Sequence, residues 1–158
     1  MLDYLKEVEQ RLPELLQSLD GWTSKFITYE EPHVERLYRQ DGPNRIFLHR
    51  IFPCTDRPFE HTHPWPAAMK IVEGWYEQEI GMGDETLMTI KHGPGSTYEM
   101  INPLAVHSVA PSTEYVLTIM VTGPKYNRFS RLYEPVVNPE LTLENANKLL
   151  EDFRRYYK

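Results

Sequence analysis

The fold of this chain is decided by one stretch, which reads His61-Thr62-His63-Pro64-Trp65-Pro66-Ala67-Ala68-Met69-Lys70-Ile71-Val72-Glu73-Gly74-Trp75-Tyr76-Glu77. It opens on two histidines at positions i and i+2. A proline-rich bend, a short apolar run, a glycine turn and an aromatic-rich segment follow. Apolar runs bounded by proline and glycine predict a β-meander. Because alternate side chains of a strand point to the same face, His61 and His63 are expected to face the same way.

A third histidine, His107, lies in a later strand-like segment. If that strand lies near the first, three imidazole nitrogens meet on one side of a metal ion. Neutral imidazole is a good ligand for Fe(II), Zn, Cu, Ni or Mn. Three protein ligands leave the remaining positions open for water, oxygen or substrate, as in catalytic metal sites. The pattern therefore predicts one divalent metal ion bound by His61, His63 and His107.

The region from about residue 44 to 124 resembles the cupin superfamily. The first cupin motif contains H-x-H and a later glycine, which match His61, His63 and Gly74, and the second contains a histidine that matches His107. The glutamate of the first motif is replaced by Ala67. The resemblance implies a mainly β fold, a double-stranded β-helix or jelly-roll barrel.

A three-histidine cupin without the glutamate is similar to the thiol dioxygenases, and the H-x-H-P-W sequence resembles a group of small cupins. The resemblance implies an Fe(II)-dependent dioxygenase-type oxidoreductase that acts on a small molecule. Two alternatives stay open. One is a non-redox metal cupin, an isomerase or lyase on a sugar or keto acid, in which Zn, Ni or Mn acts as a Lewis acid. The other is a cupin that binds a small ligand without turnover.

Further side chains are candidates for the same site. Glu77 follows Gly74 by three residues, and it is expected to be a fourth ligand, an acceptor for the N–H of a ligand histidine, or an exposed strand carboxylate outside the site. Tyr98 and Tyr126 are the candidate catalytic hydroxyls, which would donate to a bound substrate. His33 and His92 stand in turn-like surroundings and are expected to be solvated.

Composition restricts the class of protein. The chain has 158 residues, 41% of them hydrophobic, and a formal net charge of −6. This balance argues against nucleic-acid binding, which favours a basic surface. Three basic residues near the predicted site, Arg45, Arg50 and Arg57, could still hold an acidic small molecule. The sequence has no secretory leader, no apolar span of membrane length and a single cysteine, so we expect a cytoplasmic protein without membrane contact.

The organisation along the chain predicts one domain, 1–158. Leucines at helical spacing predict a helix over 2–19, which Pro13 kinks or restarts. Strand-like runs separated by turn signals predict the barrel over 22–136, with a hairpin at 81–84. A second apolar stripe predicts a closing helix over 142–157, with Thr142 as its N-cap. The helices are expected on the outside of the barrel, and an exposed barrel edge is compatible with a homodimer.

Overall fold

The computed structural model describes residues 1–82, 85–126 and 137–158. These residues form two helices and ten strands, all of whose pairings are antiparallel. In chain order the elements are α1 (Leu2–Leu15), β1 (Thr23–Ile27), β2 (Val34–Asp41), β3 (Asn44–Ile51), β4 (His61–Thr62), β5 (Ala67–Glu73), β6 (Tyr76–Met82), β7 (Glu85–His92), β8 (Thr97–Met100), β9 (Ala105–Pro111), β10 (Val116–Thr122) and α2 (Leu143–Arg154).

The strands form two sheets whose inner faces share one core. The larger sheet has the order β1-β2-β3-β10-β5-β8, and the smaller has the order β4-β9-β6-β7. Side chains from both sheets pack together, Ile71 and Val116 of the larger with Tyr76 and Val109 of the smaller. The chain is thus mainly β, and the predicted double-stranded β-helix, or jelly roll, is confirmed.

Both helices cover the outer face of the larger sheet. Central strand β10 is buried along its whole length because each of its faces is covered. Leu117, Ile119 and Val121 belong to the apolar cluster that includes Leu12 of α1 and Leu149 of α2. The intervening side chains point into the barrel. Neither described helix is long and apolar enough to cross a bilayer.

The helices are shorter than the sequence predicts. α1 ends at Leu15, with Pro13 in its last turn. The carbonyl of Leu15 accepts a hydrogen bond from the indole N–H of Trp22 at 2.9 Å, so the chain turns here instead of continuing to residue 19. α2 ends at Arg154 instead of residue 157, and Thr142 caps it as predicted, its hydroxyl accepting from the amide of Asn145 at 3.1 Å.

Gly74 makes the turn between β5 and β6. Its φ is +81°, and a Cβ at this position would lie 2.4 Å from the carbonyl oxygen of Tyr115. Only glycine fits such a close approach of two backbones. The next hairpin, between β6 and β7, pairs in antiparallel fashion as predicted. Residues 83–84 at its tip, and residues 127–136 of the predicted barrel, lie outside the described residues.

Candidate metal centre

The structure brings the three predicted histidines together. β4 pairs with β9 so that His61 lies directly opposite His107, and His63 follows two residues later on the same face. His107 Nε2 lies 2.8 Å from His63 Nε2 and 3.2 Å from His61 Nε2. Among the described residues, this is the group of histidine, cysteine and carboxylate side chains whose ligand atoms are close enough to hold a metal ion.

Burial keeps these imidazoles neutral. It lowers the pKa of His61, lowers that of His63 to about 3, and holds that of His107 well below its usual value. Each histidine would also repel a positive charge on the others. Neutral imidazoles carry a lone pair, which is the form that binds a metal.

Hydrogen bonding alone does not satisfy this arrangement. A neutral imidazole Nε2 is either one donor or one acceptor, and His107 Nε2 has two imidazole neighbours. Two nitrogens that bind one ion at about 2.1 Å are about 3.0–3.4 Å apart for bond angles of about 90–109°. The two separations from His107 Nε2 fall close to this range, and the ligand atoms of all three histidines lie within 4.8 Å of one another, so the donor set fits one metal ion.

A buried amide supports His107 from behind. Gln78 on β6 is fully buried, and its amide lies 2.8 Å from His107 Nδ1 and 2.9 Å from His92 Nε2. The expectation that His92 is solvated is therefore wrong. The residue is buried, because it ends β7 where that strand meets the interior. Sequence reasoning missed Gln78, although Tyr76, Gln78 and Ile80 alternate with glutamates along β6.

Glu77 is not brought to the histidines. It is exposed, and its neighbours Tyr76 and Gln78 point inward, so its carboxylate lies on the outer face of the smaller sheet. Its strand partners there are Ala110 and Lys91. The contact to a ligand histidine that we expected of Glu77 is made by the next residue, Gln78.

The two candidate tyrosines lie in different settings. Tyr98 is inside the barrel, where its hydroxyl bonds that of Tyr76 at 2.6 Å and its ring stacks on His92 at 4.5 Å. Burial raises its pKa, so the phenol stays protonated. Tyr126 follows β10, and its hydroxyl donates to the carbonyl of Ile101 at 2.7 Å. Donation by either hydroxyl to a substrate stays a prediction.

The basic residues separate into two groups. Arg50 is ion-paired with Glu35 and Asp152 on the helix side of the larger sheet, and Arg57 pairs with Glu60 at the surface. Arg45 instead lies over the ring of Trp65, at 4.3 Å from its centroid. A fourth arginine, Arg36, also lies in the interior, and the sequence analysis did not single it out.

Comparisons with known proteins extend this description. No family model and no curated protein matches the sequence. Among solved structures, the hydroxypropylphosphonic acid epoxidase from S. wedmorenis aligns at 10% identity with a TM-score of 0.54, over 67% of this chain and 57% of that chain. KdgF from Halomonas sp. aligns at 14% identity with a TM-score of 0.51, over 65% and 90%. An Fe(II) form of HppE with the substrate (S)-1-HPP aligns at 11% identity with a TM-score of 0.56.

These likenesses concern the fold. The chain spans 57% to 58% of the length of the epoxidase chains that it matches. Together with the two facing sheets and the histidine cluster, they show that the chain has the cupin fold.

Proposed function

We propose that this chain is a metal-dependent enzyme in which His61, His63 and His107 bind one divalent metal ion, and that Fe(II) is the metal and a small molecule the substrate. The observation that carries the proposal is the convergence of three neutral imidazoles inside a barrel, with His107 Nε2 2.8 Å from His63 Nε2 and 3.2 Å from His61 Nε2. When bound, Fe(II) would supply dioxygenase-type oxidation of the substrate. The iron named in the HppE structure belongs to that protein and makes Fe(II) the first metal to test here.

The second ring nitrogen, Nδ1, orients two of the three ligands, whereas that of His63 is buried without a hydrogen-bond partner. His61 Nδ1 faces the carbonyl of Phe59 at 3.4 Å, and His107 Nδ1 faces the amide of Gln78. When Nδ1 donates, to this carbonyl or to the oxygen of the Gln78 amide, the hydrogen bond fixes the ring and leaves the Nε2 lone pair for the ion. No carboxylate of the described residues joins the three imidazoles, so the histidines leave a metal ion its full positive charge.

The interior provides an environment for a substrate beside the histidines. Its walls are apolar and include Phe47, Met69 and Met120, with Trp65 packed against them. Such walls exclude water and leave the orientation of a ligand to a few polar groups. We infer that a small molecule bound at the open side of the metal contacts these apolar side chains.

The proposal is tested by elemental analysis of protein that is purified without added metal and then reconstituted anaerobically with Fe(II). We expect about one equivalent of iron per chain in the parent protein and none in His63→Ala. The matched control is His33→Ala, whose ring makes an edge contact with Phe26 at 6.5 Å, away from the cluster. Far-UV circular dichroism of both variants should match the parent, because the metal lies in a pocket and does not hold the fold.

The metal that binds then separates the reaction classes. Iron together with oxygen consumption supports the dioxygenase. Turnover of a sugar or keto acid under anaerobic conditions with Zn, Ni or Mn would contradict the dioxygenase function and support an isomerase or lyase. Metal and ligand binding without turnover would leave a binding protein. Full metal content in His63→Ala would contradict the three-histidine site itself.

A further inference from the structure

Three cations surround two aromatic rings on the inner side of the larger sheet. The guanidinium of Arg36 lies 5.3 Å from the ring centroid of Phe47, and that of Arg45 lies 5.6 Å from the same centroid. Arg45 also lies 4.3 Å from the centroid of Trp65, and the ammonium of Lys125 lies 5.8 Å from it. We call Arg36, Arg45 and Lys125 the cationic cluster. Lys125 is exposed, whereas Arg45 and Arg36 are half-buried.

The charges of the two arginines are not neutralised by the described part of the chain. No carboxylate there forms an ion pair with Arg36 or Arg45. Arg36 Nε donates at 2.9 Å to His49 Nε2, which burial keeps neutral. Burial lowers the pKa of Arg36 to about 10, so the guanidinium is still charged at neutral pH. A charge that is partly removed from water and has no counter-ion is costly, and a bound anion would offset this cost.

Two polar groups beside the cluster also lack a partner in the protein. Trp65 Nε1 and Thr122 Oγ1 are buried and make no hydrogen bond. Thr122 ends β10 directly opposite Arg45 on β3, and its side chain is fully buried. Buried donors are almost always satisfied. An indole N–H, a hydroxyl and guanidinium N–H groups all bond the same kind of ligand, an oxygen acceptor.

The cluster lies next to the histidines. Trp65 follows His63 by two residues, and the guanidinium of Arg45 lies 4.3 Å from the centroid of the Trp65 ring. A molecule that spans the two sites would have its anionic end at the arginines and another group at the histidines.

We propose that Arg36, Arg45, Trp65 and Thr122 form an oxyanion subsite that binds the carboxylate, phosphonate or related headgroup of the substrate. The planar guanidinium of arginine can donate two parallel hydrogen bonds to such a group. Lys125 at the exposed end draws the anion inward. That the bound anion is part of a substrate rests on the proposed function, whereas binding of the anion does not require the metal.

Isothermal titration calorimetry on the full, metal-free chain at low fixed chloride tests the subsite. The probes are propionate, ethylphosphonate and neutral propionamide. We expect one equivalent of at least one of the two anions to bind and propionamide not to bind. The stronger of the two anions identifies the headgroup. Arg36→Met should weaken anion binding at least tenfold, which corresponds to about 1.4 kcal/mol.

The matched control is Arg39→Met on the same strand. Arg39 stacks on Trp22 at 5.4 Å on the opposite face of the sheet, so its removal should leave anion binding unchanged. If Arg36→Met does not fold, Thr122→Val provides the second test. It is nearly isosteric and removes an unpartnered hydroxyl, so it should fold and still weaken anion binding.

Parallel titrations with one equivalent of Zn(II) separate this inference from the proposed function. Anion binding that depends on Arg36, with or without the metal, supports the subsite even if no metal binds. Metal binding without any anion binding overturns the subsite alone. Equal binding of propionamide, or anion binding that is unchanged in both Arg36→Met and Thr122→Val, overturns it as well.

Discussion

At the scale of single residues, one step along a strand separates a surface charge from a site residue. Glu77 and Gln78 are neighbours on β6, yet Glu77 is exposed and Gln78 is fully buried against His107 and His92. An amide can present either its oxygen or its nitrogen by rotating through 180°. When Nε2 of His107 binds a metal, its Nδ1 carries the proton, and the oxygen of Gln78 can accept it.

We therefore predict that Gln78→Met weakens metal binding by about 10–100-fold, the usual effect of losing a hydrogen bond to a ligand histidine. Glu77→Gln, on the same strand and the opposite face, should leave the affinity unchanged. Competition with a chelator of known affinity measures both. A large loss of metal affinity in Glu77→Gln would instead show that the Glu77 carboxylate contributes to the metal site.

At the scale of secondary-structure elements, one carboxylate ties α1 to the barrel. Asp41 at the end of β2 accepts two hydrogen bonds from the guanidinium of Arg11, at 2.8 and 3.0 Å, and one from the hydroxyl of Tyr4 at 2.5 Å. Arg11 foremost, and Tyr4 with it, lowers the pKa of Asp41 to about 2. The helix is thus held to β2 by an ion pair and a hydrogen bond as well as by its leucines.

The sign of the pH effect follows from this lowered pKa. An aspartate in the unfolded chain has a pKa near 4, so Asp41 stabilises the fold above about pH 4 and loses this contribution as the pH falls toward 2. Because the groups are partly solvated, we expect Asp41→Asn to cost only about 1 kcal/mol at pH 7, with the difference from the parent vanishing near pH 2. Urea denaturation at several pH values measures this. Asp3→Asn, at an exposed helix position, should show no such pH-dependent loss.

At the scale of the whole molecule, the barrel has a core of its own. The interior cluster of Ile71, Tyr76, Val109 and Val116 and the outer layer between the helices and the larger sheet are both closed by apolar side chains. Metal binding is therefore expected to stabilise a fold that already exists. A homodimer and a cytoplasmic location stay predictions at this scale.

We predict that chelator-treated protein retains its β spectrum and unfolds cooperatively. Metal at about 100 times its dissociation constant should add about 2.7 kcal/mol, or about 5–10 °C in melting temperature for a chain of this size. Thermal melts followed by circular dichroism measure the shift, which should be absent in His63→Ala. An unfolded metal-free chain would show that the ion is structural.

The sequence by itself determined the features that depend on local periodicity. Spacing by two residues on a strand places His61 and His63 on one face, and the motif context identified His107 as their partner. Thr142 caps α2 because a hydroxyl before an apolar helix accepts its first free N–H groups. The mainly β fold also followed from the strand and turn signals.

Only the tertiary structure decided which face of the larger sheet is the inside of the barrel. Both faces of its central strands are covered, one by helices and one by the opposite sheet, so the apolar residues do not alternate with polar ones. The sequence therefore could not distinguish Arg50, which pairs with acids under the helices, from Arg45 and Arg36, which lie in the interior. Strand pairing settled that question, because the register fixes the side of the sheet to which each side chain points.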